Sequence, residues 1–370
     1  MKKKMKVVFI IICIIGVLIM GLLIMATILG KEVTVKPDKQ LEGVTEEVES
    51  ILYYASLAPN SHNSQMWEIQ LHAKDGELFV GVDESRVLGV VDASKREAYI
   101  SLGCYLANLQ TAFQAYGYDI ILDIYDVPDE NGFISKVTYK KISDKVDYTA
   151  LKTIEKRHTD KSVYKDTAIT QEVADIITLD NSICYLKGSD NFEYLKKGTL
   201  DAILVQSANQ AYRDELAEWM RFSNHEVVEK QDGISAEQMG LKGIVKTFYY
   251  WTTNHVSAKG DTFAKQGINT AKKQLEGCQG FLTVIGDNTI KGWINSGIDA
   301  EKIWLKCVEQ NVSVQPMSAM LETEPFAQSI QKDLGTYKPV QMILRLGYVD
   351  EYGENSHIRR NLEDYVTVEK

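Results

Sequence analysis

The sequence predicts an α+β protein of two similar halves, preceded by one transmembrane helix. Three observations carry that reading. Residues 7–30 form an uncharged run behind four lysines. Amphipathic helices and alternating strand pairs recur in both halves of the 370-residue chain. The polar residues that exceed what folding needs are concentrated at two places, 58–67 in the first half and 155–164 in the second.

Each element follows in order. At about 1.5 Å per helical residue, the run 7–30 crosses a hydrocarbon core of about 30 Å. Its exit, Met25-Ala-Thr-Ile-Leu-Gly30, leads straight into Lys31-Glu32 and lacks the small-x-small exit of a cleavable signal. Cys13 lies too early in the run to be a lipid acceptor. Residues 1–30 therefore read as a single-pass anchor in the cell membrane. Lys2, Lys3, Lys4 and Lys6 hold the N-terminus inside and place the rest on the extracytoplasmic side, while Lys31, Lys36 and Lys39 pull the other way.

Residues 31–44 read as a linker, and the first half covers 45–150. A helix is expected over 45–57, with Thr45 as N-cap, Glu46 and Glu47 in its first turn, and Val48, Ile51, Leu52 and Ala55 on one face. Trp67, Ile69 and Leu71 alternate with polar residues, Asp75-Gly76 turns the chain, and Leu78, Val80 and Val82 return as a hairpin. Leu102, Leu106, Leu109 and Phe113 stripe a helix over 96–116 that Gly117 ends. A second strand pair, 119–126 and 133–142, flanks the turn at 128–132.

The second half covers 151–370. A helix over 147–156 leads into Arg157, and a long helical region is expected over 196–229. The aromatic run Phe248, Tyr249, Tyr250 and Trp251 lies in a glycine-punctuated stretch, 233–256, and reads either as core packing or as a flap over a planar ligand. A strand over 279–286, a helix over 296–311 and a final strand over 340–349 follow.

Composition excludes several classes. With 45% hydrophobic residues the chain can bury one or two cores. Its five cysteines (Cys13, Cys104, Cys184, Cys278, Cys307) include no Cys-x-x-Cys pair, so they read as small buried hydrophobes and not as a disulfide framework. Net charge is −10, and none of the 51 acidic residues precedes Lys31, so the body of the protein repels phosphate polymers and no nucleic-acid partner is expected. The six histidines show no metal-ligand spacing, and no metal site is expected. Gly-x-Ser-x-Gly, P-loop and Gly-x-Gly-x-x-Gly motifs are absent from the sequence.

Residues 58–67 read Ala-Pro-Asn-Ser-His-Asn-Ser-Gln-Met-Trp. So many polar groups cannot be core without partners, and a turn needs only two or three of them. Their density at a helix-to-strand junction suits a polar, flat ligand. The stretch resembles the Pro-Ser-x-x-Asn-x-Gln-Pro-Trp signature of the FMN-dependent nitroreductase family, and its His62-Asn63 pair resembles the Acg-like subgroup. Residues 155–164, Glu-Lys-Arg-His-Thr-Asp-Lys-Ser-Val-Tyr, are similar to the family's Arg-x-Ser/Thr-x-Arg/Lys phosphate-binding stretch. Leu344-Arg-Leu-Gly-Tyr348 and Arg359-Arg-Asn-Leu-Glu-Asp-Tyr365 resemble its last strand and basic tail.

The resemblance implies a nitroreductase-like fold in which two fused halves, a tandem repeat, form an intramolecular pseudo-dimer within a monomer. The decapeptide occurs only in the first half and the Arg-His-Thr-Asp-Lys stretch only in the second, so pairing of the halves builds one flavin site per chain. By resemblance, Asn60, Ser61, His62, Asn63 and Gln65 serve the ribityl chain and ring edge. Arg157, His158, Thr159, Lys161, Arg359 and Arg360 serve the phosphate, a dianion that needs clustered cations. Pro316 opens a loop, Pro316-Met-Ser-Ala319, similar to the one beside the flavin ring. The implied activity is electron transfer from NAD(P)H through FMN to a nitroaromatic, quinone or similar small planar acceptor, with no catalytic side chain demanded. Storage of FMN with little turnover is the alternative. Two departures from the signature are Met66, where the family has Pro, and Asp160, which sets an acid beside the phosphate stretch.

Overall fold

Two sheets, each backed by a twenty-residue helix, meet where those helices cross. The structure is a computed structural model that describes residues 2–369. Helix α1 (Lys2–Leu29) contains a stretch, Met5–Leu29, long and apolar enough to cross a membrane, and it stands largely exposed. The linker that follows is strapped to the body of the protein. Val35 is buried with Val227 and Ile358, the Asp38 amide donates to Asn361 Oδ1 at 2.8 Å, and the Leu362 amide donates back to Asp38 O at 2.9 Å.

In the first half, α2 (Glu46–Ser56) starts as its sequence dictates, with Thr45 Oγ1 accepting from the Val48 amide at 3.4 Å. Strands β1 (Trp67–His72) and β2 (Glu77–Val82) form the expected antiparallel hairpin, in register from Trp67 opposite Val82 to His72 opposite Glu77. Gly76 takes the positive φ, 67°, that this turn requires. Helix α3 (Arg96–Ala115), strands β3 (Tyr118–Ile124) and β4 (Phe133–Lys141), and helix α4 (Tyr148–Lys156), capped by Asp147, complete it.

The second half runs through α5 (Gln171–Ile177), β5 (Ser182–Leu186), α6 (Asp190–Ala208), α7 (Gln210–Trp219) and α8 (Asn224–Lys230). The long helix expected over 196–229 is therefore broken. Asn209 leaves the helical region and turns its side chain to accept from the Ala211 amide, and Ser223 caps α8 in the same way, so local capping wins over continued helix. Helices α9 (Gly243–Thr252), α10 (His255–Ala258) and α11 (Asp261–Glu276) lead to β6 (Gly280–Ile285), α12 (Ile290–Glu309), β7 (Ser313–Pro316), α13 (Phe326–Leu334), β8 (Val340–Gly347) and β9 (Val366–Val368). Thr289 caps α12, which begins before the position 296 that the sequence indicated.

The sheet orders are β3-β4-β2-β1-β9 and β5-β6-β8-β7. Strand β9 pairs parallel with β1, Ile69 opposite Val366, so the tail of the segment 151–370 completes the first sheet. Between the sheets α3 crosses α12 so closely that a Cβ on Gly103 would lie 2.0 Å from Ile294 O, and one on Gly297 would lie 1.9 Å from Ile100 O. The contact is reciprocal, each glycine facing the carbonyl one turn before the other's glycine. One apolar core runs through both halves along these two helices.

The aromatic run is neither core packing as a whole nor a flap on the decapeptide. It forms α9, with Phe248 64% and Trp251 49% exposed, Tyr249 turned inward against Phe222, and Tyr250 half-buried beside Lys246. The reading is corrected because α9 takes its inward face from Lys246 and Thr247, which pack on the end of α1.

Candidate functional site

The turn between α2 and β1 holds three non-glycine residues at positive φ, His62 (51°), Asn63 (53°) and Gln65 (52°). Such backbone persists only where surrounding bonds over-determine it. Those bonds are present. Asn60 Oδ1 accepts from the Gln65 amide at 2.8 Å, and Asn60 Nδ2 donates to Ala58 O at 3.1 Å. Asn63 Nδ2 donates to Gly233 O and Ile358 O, both at 3.2 Å, while its Oδ1 accepts from Arg359 Nη1 at 3.0 Å. Gln65 Nε2 donates to Gln231 O at 2.8 Å, and its Oε1 accepts from the Arg360 amide at 2.9 Å.

Asn60, Asn63 and Gln65 thus spend their amides on the protein's own backbone and, for Asn63 Oδ1, on the Arg359 side chain. Arg359 and Arg360 do likewise. Both are buried, Arg359 Nη2 donates to Leu57 O at 3.0 Å, and Arg360 Nη1 donates to Gln65 O at 3.1 Å. Burial, with Arg157 nearby, lowers the Arg359 guanidinium from its ordinary value. The two arginines clamp the decapeptide from the C-terminal tail.

A cover lies on its outer side. The Gly233 amide donates to Asn63 O at 3.1 Å, and Asp232 joins Arg221 of the same segment to Arg86 of the first half. Glu215 of α7 accepts from the Val90 and Val91 amides, each at 2.8 Å, fastening a second point.

His62 and Lys161 make no such side-chain bonds among the described residues. Burial lowers Lys161 to about 8, and it has no ion pair among the described residues. It stands close enough to His62 to oppose protonation there. Burial first, then Lys161, lowers His62 to about 4, against the pull of Glu97, and its Nδ1 is buried without a partner. The charge of a lysine in the segment 151–370 therefore acts on a histidine in the segment 45–150.

Ser61 Oγ donates to Glu97 Oε2 at 2.8 Å. Glu97 and Glu322 interact as a carboxyl pair. Burial and Glu97 push Glu322 well up, and Gln206 Nε2 donates to its Oε2 at 2.8 Å. Beside this pair lies a cleft of about 290 Å³, lined by Val91, Arg96, Tyr212, Leu321 and Glu322.

Arg157 is spent differently. Its Nε lies 3.2 Å from Glu301 Oε1, its guanidinium sits 4.9 Å from the Trp304 ring, and its Nη2 donates to Leu57 O. Burial pushes Glu301 up to about 8, against the pull of Arg157. Arg157 Nε and Nη1 still lack hydrogen-bond partners. His158 turns toward Tyr352, 5.0 Å between ring centres, and shares a hydrogen bond with Lys156 O at 2.9 Å, away from the decapeptide. Thr159 is half-buried between them. Asp160 binds Ser313 Oγ at 2.8 Å and the Ser162 amide at 2.9 Å, so its charge is taken up within the second half. Pro316 ends β7 opposite Leu344, and the next amide, Met317, donates to Ile343 O at 2.8 Å.

Sequence reasoning missed Glu97, Glu301, Glu322 and Asp232. Only Glu97 had a local signal, as an acid in the first turn of α3 beside Arg96. The others acquire partners solely through packing.

No protein-family model matches the chain. Over 293 residues it is 20% identical to a probable NAD(P)H nitroreductase, PigM, of Serratia sp. (strain ATCC 39006), covering 75% of this chain and 81% of that protein. Over 95 residues it is 28% identical to the putative NAD(P)H nitroreductase acg of Mycobacterium tuberculosis, covering 26% of this chain and 28% of that protein. The FMN-dependent nitroreductase NfnB from Mycobacterium smegmatis, solved in complex with NADPH, aligns with a TM-score of 0.36 at 14% identity, over 60% of this chain and 99% of that one. The chain is a relative of the NAD(P)H nitroreductases, with Acg among the proteins it resembles.

Proposed function

We propose that this protein is a membrane-tethered, FMN-dependent oxidoreductase that passes electrons from NAD(P)H to a nitroaromatic, quinone or similar small planar acceptor. The observation that carries the reading is the half-buried Lys161, which has no ion pair among the described residues and whose charge acts on His62 beside the strained turn. A buried cation without a partner is costly, and a bound anion removes that cost. The donors fit a flavin phosphate and its polar neighbours: Lys161 supplies charge, and Thr159 and the unpartnered Nη1 of Arg157 supply O–H and N–H groups. The named activity of the relatives points the same way.

FMN, when bound, accepts hydride and returns electrons, which no side chain here can do. The chain's own residues do the rest. Arg359, Arg360, Asn63 and Gln65 hold the turn rigid. Ser61 orients Glu97, and the Glu97–Glu322 carboxyl pair stands at the edge of the cleft. The reciprocal Gly103–Gly297 crossing supports reading the halves, 45–150 and 151–370, as an internal pseudo-dimer with one site per chain. Helix α1 serves as the anchor, with the catalytic part outside the cytoplasm.

A second reading, FMN storage with little turnover, is favoured by one observation: the segment carrying Gln231 and Gly233 closes directly on the decapeptide. The test uses the full chain in detergent, scanned across the flavin bands and titrated anaerobically with NADPH and NADH. Bands that bleach and return with a nitroaromatic or a quinone support the reductase. Persistent bands support storage. A colourless protein that takes up no added FMN overturns both, and protease accessibility in sealed vesicles reads the membrane side.

A further inference from the structure

Helix α9 has two unlike faces. On one, Lys246 and Thr247 are fully buried, and they fasten α9 to the end of α1. Thr247 Oγ1 donates to Ala26 O at 2.7 Å, Lys246 Nζ donates to Lys31 O at 2.7 Å, and the Gly243 amide donates to Gly30 O at 3.2 Å. A Cβ on Gly30 would lie 2.4 Å from Gly243 O, so the two backbones touch. Asn224 Nδ2 donates to Leu29 O at 3.3 Å, a further tie at the same level. Helix α1 is therefore joined to the domain at the point where its apolar stretch ends.

On the other face, Ile244 is 61%, Val245 57%, Phe248 64% and Trp251 49% exposed. Their spacing of one, four and seven places all four on one side of a helix. Single exposed apolar residues are ordinary, but a continuous stripe of this size marks a surface that is covered in use. Helix α1, to whose end α9 is fastened, has an exposed apolar wall of its own that includes Leu22, Leu23 and Ile28. Exposed Lys31 and Lys242 flank the N-terminal end of the α9 stripe, and Trp251 has the amphipathic ring favoured at a headgroup boundary.

We infer that α9 lies in the interfacial layer of the bilayer that α1 crosses, apolar face inward, so that the domain rests on the membrane instead of swinging from a tether. The inference rests on the anchor reading of α1 and is independent of the flavin. Attachment at the end of the apolar stretch of α1, Met5–Leu29, selects lipid over a protein partner. Segment 219–241, which covers the decapeptide, runs directly into α9, so the cover is held at the membrane surface.

The full chain in lipid nanodiscs tests this by tryptophan quenching. Helix α1 contains no tryptophan, Trp67 and Trp304 are fully buried, and Trp219 and Trp293 are partly buried, which leaves Trp251 as the exposed one. Phosphatidylcholine brominated near the headgroup end of its acyl chains should quench part of the emission relative to unlabelled lipid, and Trp251→Phe should abolish that loss. Quenching unchanged by Trp251→Phe, or none in discs that hold the chain, overturns the inference alone. A chain that does not enter discs overturns the anchor and the inference together. Flavin content alters both lipid preparations equally, so failure of the oxidoreductase reading leaves this result untouched.

Discussion

Lys161→Met is the sharpest perturbation, because it separates what the fold wants from what a ligand wants. Lys161 is half-buried, has no ion pair among the described residues, and is lowered by desolvation from 10.5 to about 8. That difference corresponds to about 3 kcal/mol of penalty on the charged form. A lysine whose folded value is depressed adds stability only above its unfolded value, and that contribution is lost as pH falls through the folded one. At pH 7 the penalty is therefore present almost in full. Lys161→Met removes the charge and keeps the apolar stem; with solvent screening of a half-buried group the ligand-free protein should gain roughly 1–3 kcal/mol, read as a rise in thermal midpoint of a few degrees. At pH 9.5 the gain should fall by about half or more, since the folded lysine is already neutral there. The same variant should hold FMN roughly ten- to a hundredfold more weakly, the worth of one charge-assisted bond. A midpoint no higher than wild type at pH 7, or a gain equal at both pH values, refutes the buried-cation argument. A stabilised variant that purifies as yellow as wild type refutes the phosphate role and leaves the burial argument standing.

Three further outcomes are expected. Gly103→Ala places a methyl 2.0 Å from a backbone carbonyl that cannot step aside, whereas Gly16 has nothing within 4 Å. The first should cost about 3 kcal/mol and the control should not shift the thermal midpoint. His62, lowered to about 4, contributes stability that is present above its unfolded value of 6.5 and is lost as pH falls through 4. His62→Gln should flatten the decline of the midpoint between pH 6.5 and 4, and an unchanged slope contradicts the assigned burial. Arg157→Gln removes the cation that offsets the burial of Glu301 and so pushes that carboxyl further up; with Glu301 neutral at pH 7 the variant should cost about 1–3 kcal/mol through lost hydrogen bonds, little of it restored by adding Glu301→Gln. Loss of FMN in both the single and the double variant identifies Arg157 as a phosphate ligand, while retention in the double variant assigns it to the fold alone.

The site differs in kind from a reading of its residue types. Six polar side chains in ten residues indicate a ligand, yet Asn60, Asn63 and Gln65 are used to hold an uncommon backbone shape. The group that remains for chemistry is His62, which that shape presents. The family signature is legible because it is contiguous. The division of labour within it depends on Gln231, Gly233 and Ile358, whose carbonyls arrive from far along the chain.

What the sequence determined by itself is what a few neighbouring residues can encode. The Thr45 cap, the Asp75-Gly76 turn, the apolar stripe of α3 and the length of α1 all depend on interactions within a turn or two, and each appears where expected. The break at Asn209 belongs to the same class, since its cap competes locally with the helix, but helical periodicity on both sides hid it. Tertiary structure alone decided the pairing of β9 with β1, the crossing of Gly103 on Gly297, the Glu97–Glu322 pair and the outward face of α9. Each of these joins residues tens to hundreds of positions apart, and their energies come from desolvation and close packing, which exist only once both surfaces have been built.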